Sequence, residues 1–188
     1  MDILQLKKYW KDNGEKLYTY SPSNIDKVKV DNETFLFLTT CGLPSHAAPF
    51  LSFGELKEDK LWTPNQVFKI DFEKLDDYLM FGSDGSGDPL CIDTTKHNQI
   101  VYLNHDNYFE KILINESILQ FAVCLTKYRD FFLSLVDMSS DDFTRRKFTD
   151  TEFEQLKDGF KNIDSLSLSD NSFWAAELDS LLWSRDNE

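Results

Sequence analysis

Apolar residues along the chain follow three successive rhythms. Near the start, Ile3, Leu6 and Tyr9 or Trp10 recur every three to four positions, the spacing of one helix face, and they predict a helix over residues 2–12. Lys7, Lys8 and Lys11 fall in its later turns, where cations suit the helix dipole, and Asn13-Gly14 supplies a stop. In DNETFLFLTTCGLP, Asp31 and Asn32 can cap a second helix carrying Phe35, Leu36, Leu38 and Thr39, which Gly42 and Pro44 would end. The run from Phe35 to Thr40 is also compatible with a strand.

From about residue 49 the period shortens. PFLSF, KLWTP, QVFKIDF, YLMFG, PLCID, QIVYLNH and KILIN are short β-rich runs separated by Gly, Pro, Asn, Asp or Lys-rich breaks. Those breaks are too short for parallel crossovers, so an antiparallel meander is expected. After Asn115 the helical period returns. Ser117 and Gln120 match a capping box, and Ile118, Phe121, Ala122, Leu125, Tyr128, Phe132 and Leu135 form a broad apolar stripe. A further helix should start near the Thr149 to Glu152 capping box and run to about Phe160, and another should carry Phe173, Trp174, Leu178, Leu181 and Leu182. The polar stretch DSLSLSDNS connects them. The order helices, strands, helices implies an α+β fold, a mainly antiparallel sheet with helices packed against it. It divides a single domain, 1–188, into a helical part at 1–48, a sheet at 49–115 and C-terminal helices at 116–188.

Composition narrows the partners. Thirty-three Asp and Glu against 20 Lys and Arg leave a net charge of −13, which repels phosphate backbones, argues against direct nucleic-acid binding and favours a basic protein partner. A chain of 188 residues is long enough to bury roughly two thirds of its unfolded surface without disulfides. Cys41, Cys91 and Cys124 are odd in number and widely spaced, which fits buried thiols in a reducing cytoplasm better than a disulfide framework or a zinc clamp. The segment MDILQLKKYWKDNG lacks a basic region followed by a continuous apolar core, and no window approaches 18 apolar residues. A soluble cytoplasmic protein without a membrane partner is expected.

The stretch FGSDGSGDPLCID, residues 81–93, has the look of a ligand loop. Gly85 and Gly87 are followed by Leu90 and then by a strand, so the third glycine and the helix of a dinucleotide fingerprint are missing. No lysine lies where a P-loop needs one, and Asp84 and Asp88 would repel phosphates. Read as a calcium loop from Asp84, it has Pro89 at the sixth position and Thr95 at the twelfth, where Gly and Glu are required; two aspartates and a serine retain the capacity for a weak cation. As a turn it is consistent throughout. Gly82, Gly85 and Gly87 permit positive φ, and Asp84 and Asp88 can accept hydrogen bonds from nearby backbone amides. His46, His97 and His105 show no catalytic or metal-binding spacing, and Asp106 beside His105 is read as a structural pair.

The order of these elements, YLMFGSDGSGDPLCIDTTKHNQIVYLNHD, resembles the SUKH superfamily, which includes a yeast cell-wall regulator and many bacterial immunity proteins. The likeness runs through Gly82, Gly87, Asp88, Ile92, Asp93, Val101, Tyr102, His105 and Asp106. The helix and break in NETFLFLTTCGLP and the closing SFWAAELDSLL are similar to the fourth subfamily, so the likeness extends from about residue 20 to the end. Residues 139–150, with Asp141 and Asp142 followed by Arg145 to Lys147, do not align with the pattern.

The resemblance implies an α+β fold and direct binding of a toxin, often a nuclease, with no catalysis and no cofactor. An acidic inhibitor would be steered onto the basic substrate-binding surface of such a toxin. The densest acidic window holds Asp71, Glu73, Asp76, Asp77, Asp84 and Asp88 against Lys74, and Phe72, Tyr78 and Trp62 are the aromatic anchors nearest to it. The bland alternative makes these acids a solvated edge and hairpin tip, and the aromatics core. Two other functional readings stand beside the immunity protein: a general regulatory or scaffold domain without a toxin, and an enzyme using Asp84, Asp88 and His105. The sequence does not define an oligomeric state.

Overall fold

The computed structural model describes residues 1–25, 29–54, 60–136 and 146–187. Helix α1, Ile3–Asp12, is closed at its start by a reciprocal capping box between Asp2 and Gln5 and ends at Asn13 and Gly14. Helix α2, Asn32–Leu36, is capped by Asp31 and widens into a π-helical turn, Phe37–Cys41. The helical alternative for this stretch therefore holds. Gly42, at φ +70, turns the chain out of the helix, and no larger residue fits there, since a Cβ would lie 1.9 Å from the Tyr18 carbonyl oxygen. Two short strands, β1 (Leu17–Tyr18) and β2 (Leu43–Pro44), pair beside this helical part.

The main sheet has six strands in sequence order, every neighbouring pair antiparallel: β3 (His46–Ala47), β4 (Leu51–Phe53), β5 (Tyr78–Ser83), β6 (Pro89–Asp93), β7 (Gln99–Asn104) and β8 (Glu110–Asn115). The expected meander is thus present from residue 46, with one change. QVFKIDF and most of KLWTP are not strands. Trp62 makes a single bridge to Met80, and the chain then forms helix α3, Pro64–Phe68, and a 3-10 turn, Glu73–Asp77. Thr63 and Gln66 cap α3 reciprocally and Pro64 occupies its first turn. Proline lacks the N–H that a ladder needs but fits a helix start, so this local signal outweighs the β-propensity of Val67 and Phe68.

The two faces of the sheet have different covers. Leu79, Phe81, Leu90, Ile92, Ile100 and Ile114 join the large core beneath the helices, together with Phe121, Leu125, Phe160 and Trp174. That layer comprises α4 (Ile118–Leu135), α5 (Asp150–Ile163) and α6 (Phe173–Asn187). The alternate residues Met80, Cys91, Val101 and Leu103 form a second, smaller core with Leu75, and the segment carrying α3 and the 3-10 turn is packed on it. Strand periodicity explains the division, since successive side chains point to opposite faces.

A buried polar tie fixes the helical layer. Asp164 accepts from the Asn115 amide at 2.8 Å and from the Glu116 N–H at 2.9 Å, while Asn115 accepts from the Trp174 indole at 2.9 Å. The end of β8 is thereby locked to the α5–α6 connection, the stretch the sequence marks only as polar. All three cysteines are buried free thiols. No helix among the described residues is long and apolar enough to cross a membrane. The stretch 139–145 of the unaligned segment lies outside the described residues.

Candidate functional site

The loop at 84–88 closes the β5–β6 hairpin, as its turn chemistry predicts. The Asp84 carboxylate accepts from the N–H groups of Ser86 and Asp88, both at 2.9 Å, and the Asp84 N–H donates to the Asp88 carbonyl at 3.0 Å. The three glycines divide the work unequally. Only Gly87 adopts a positive φ, +89. Gly82 is required for space, because a Cβ would stand 2.6 Å from the Ser52 carbonyl oxygen and from the Phe53 ring, and Gly85 meets Phe50 at an ordinary 3.4 Å.

Asp84 stays at the hairpin tip, whereas Asp88 turns inward and is 4% exposed. One of its oxygens accepts from the His105 backbone N–H at 2.7 Å and contacts His105 Nδ1 at 2.5 Å; the other accepts from the Tyr102 hydroxyl at 2.5 Å. Burial acts to raise the Asp88 pKa, but the hydrogen bonds from His105 and Tyr102 outweigh it and hold the carboxyl below its ordinary range. The hydrogen bond and charge of Asp88 push His105 up. Burial, followed by the Asp88 contact, pushes Tyr102 up as well. His105 Nε2 lies 3.4 Å from Asp106. Asp88, His105 and Tyr102 therefore form a hydrogen-bonded clasp between the start of β6 and the end of β7, while Asp84, the third group of the enzymatic reading, is engaged in the turn. Among the described residues, no group of three or more His, Cys, Asp or Glu side chains is placed to hold a metal ion.

Beside this clasp lies an aromatic patch on the face opposite the helical layer. Phe109 is 6.0 Å from Phe68 and 5.9 Å from Phe72, ring centre to ring centre. Phe68 is 39%, Phe72 47% and Tyr108 86% exposed. Large apolar groups gathered at a surface mark a contact site far better than scattered ones do. Asn65 positions the patch: its amide donates to the Phe72 carbonyl and to Asp76, both at 2.9 Å, and its oxygen accepts from the Phe72 N–H at 3.0 Å. Tyr108 and Phe109 hold φ values of +52 and +56, a left-handed pair that places two aromatics at the tip of the β7–β8 hairpin and is unusual for bulky residues.

Asp71, Glu73, Asp76 and Asp77 are exposed along the segment that covers this face. Trp62 sits half-buried at the sheet, across from Met80, with the Lys60 ammonium 4.4 Å from its ring centre. Phe72 belongs to the exposed patch, while Tyr78 packs half-buried against the smaller core. Asn65, Phe68, Tyr108 and Phe109 are absent from the sequence-based set. The TPNQ capping box was a usable signal for α3, and an aromatic pair inside the polar turn HDNYFEK was one for Tyr108 and Phe109.

A larger groove of about 960 Å³ runs between the β3–β4 hairpin and helices α4 and α6, over Tyr128, Phe132 and Leu135. Its cations are already engaged: Arg146 with Glu152 at 2.6 Å, Arg185 with Asp150 at 2.7 Å, and Lys147 with the Arg185 carbonyl at 2.8 Å.

The architecture, an antiparallel meander with helices on one face and a short helical cover on the other, is that of an α+β domain. The chain belongs to the SUKH-4 immunity protein family, whose model matches residues 11–180. The superfamily and subfamily resemblance drawn from the sequence is thereby established. No curated protein and no solved structure matches the chain.

Proposed function

We propose that this protein binds and neutralises a cognate toxin inside the cell that makes both, by covering the toxin rather than by chemistry. The observation that carries the reading is the aromatic cluster of Phe68, Phe72 and Phe109, with Phe68 and Phe72 exposed, set among carboxylates, and the exposed Tyr108 next to Phe109 in the chain. Binding energy concentrates in a few aromatic anchors, and surrounding charge governs partner choice and encounter rate. Asp71, Glu73, Asp76, Asp77 and Asp84 supply that charge. Asp88 supports the loop from within, and Trp62 braces the sheet edge.

The toxin is a basic protein, and a nuclease fits best, because the surface that holds its nucleic acid is complementary to an acidic inhibitor. The test is titration against the toxin encoded beside this gene, at low and high salt, with co-expression in a sensitive host. A complex that weakens with salt, protection on co-expression, and loss of both in Phe72→Ala combined with Tyr108→Ala are expected. Failure to form a complex at low salt, without protection, would refute the toxin reading.

A further inference from the structure

The aromatic patch borders a cleft of about 360 Å³, walled by Phe68, Ile70, Phe72 and Phe109 on one side and by Ser86, Gly87 and His105 on the other. Resting on the interface reading above, we propose that this cleft receives an arginine side chain of the protein partner.

Size is the first argument. The cleft stands at the small end of ligand pockets, roughly 300–1,000 Å³, and suits one side chain. Its wall at Gly87 is low, for a Cβ built there meets nothing within 4 Å. The second argument is the surface chemistry. Three phenyl rings offer faces and edges to a flat, weakly hydrated cation, which a guanidinium is and an ammonium is not. Charge is the third. Asp71 and Glu73 adjoin the Phe72 wall, Glu110 adjoins Phe109, and Asp84 and Asp106 are close enough to act on His105. Among the described residues, the cations of the α3 side are Lys60, held over the Trp62 ring, Lys69 and Lys74. A phosphate or carboxylate guest would meet repulsion, and a purely apolar guest would leave the acidic rim unused.

The cleft also contains its own competitor. His105 faces Asp88, Asp84 and Asp106, with Tyr102 on the shared Asp88 carboxylate. When its ring is protonated it places a positive charge beside the guest, so the cleft should take arginine better as pH rises and that proton leaves.

The experiment is a heteronuclear NMR titration of the whole protein with N-acetyl-arginine amide, against its neutral isostere N-acetyl-citrulline amide, at low salt. Saturable shifts are expected at the amides of Phe68 to Phe72, Ser86, Gly87, His105 and Phe109. Citrulline should bind at least about tenfold more weakly, a difference of roughly 1.4 kcal/mol. Affinity should fall between pH 8 and pH 5.5, and Phe72→Ala, a change at an exposed ring, should abolish the shifts while the remaining spectrum is kept. Absence of saturable shifts at these amides, or equal binding of citrulline, overturns the inference. Toxin titration of Phe72→Ala separates the two readings. Lost toxin binding without arginine capture removes the arginine pocket and leaves the interface standing, whereas unchanged toxin binding removes both.

Discussion

Asp88 is the residue on which the fold and the candidate site depend together, and its removal has a calculable cost. In Asp88→Ala, the Tyr102 hydroxyl and the His105 backbone N–H lose a charged acceptor at 2.5 and 2.7 Å. A hydrogen bond to a charged group contributes about 1.5–3 kcal/mol. Tyr102 is half-buried, so water recovers part of its loss, and a net destabilisation of about 3 kcal/mol is expected. For a protein of this length that corresponds to roughly 6–12 °C in Tm. The contact to the His105 ring adds a pH dependence rather than a fixed amount.

For Asp88, whose folded pKa is depressed, the stabilisation is present above its ordinary carboxylate value of 3.8 and is lost as pH falls through the folded value. For His105, whose folded pKa is raised, it is fully present below the ordinary 6.5 and is lost as pH rises through the folded value. The pair therefore contributes most between about pH 4 and 6.5. Urea unfolding at pH 5, 6, 7 and 8 checks this: the difference between wild type and Asp88→Ala should shrink from pH 6 to 8, and Asp88→Asn should remove the same pH dependence. A loss below about 1 kcal/mol at pH 6, or parallel pH profiles for wild type and both variants, would refute the reasoning.

Gly82→Ala should destabilise more than Gly87→Ala by chemical denaturation. The first drives a methyl into the Ser52 carbonyl, and the second incurs only the strain of φ +89, about 1 kcal/mol. Asn115→Ala strips the Trp174 indole of its acceptor and Asp164 of a donor in the buried tie; a loss of about 2–4 kcal/mol is expected, with the Trp174 near-ultraviolet signal altered. Glu177, on α6, has its pKa raised by burial and then by Asp84. Holding it ionised opposes folding as pH rises through its folded value, so Glu177→Gln should raise Tm at pH 7 and leave it unchanged at pH 4.

What the sequence determined by itself was whatever depends on neighbours a few residues apart. Asp31, Ser117 and Thr149 each cap a helix where the side-chain pattern places one, because a cap bonds an amide two or three positions along. The β-rich apolar runs YLMFG, PLCID and QIVYLNH, set off by turn residues, likewise define strands, and the chemistry of Asp84 and Gly87 defines their turn. In the TPNQVF stretch local signals competed, and the proline and capping box prevailed over β-branched propensity. Tertiary structure decided the rest. Asp84 and Asp88 look alike in the sequence, yet one caps an exposed turn and the other is drawn inward by Tyr102 and His105, fourteen and seventeen residues away. Asn65 clamps Phe72 across seven residues, and Phe68 meets Phe109 only because α3 folds onto the second face of the sheet, beside the tip of β7 and β8. Burial and cross-strand distance are properties of the folded chain as a whole, so the acidic window was legible in the sequence while the aromatic patch and its cleft arise only when distant segments close on one another.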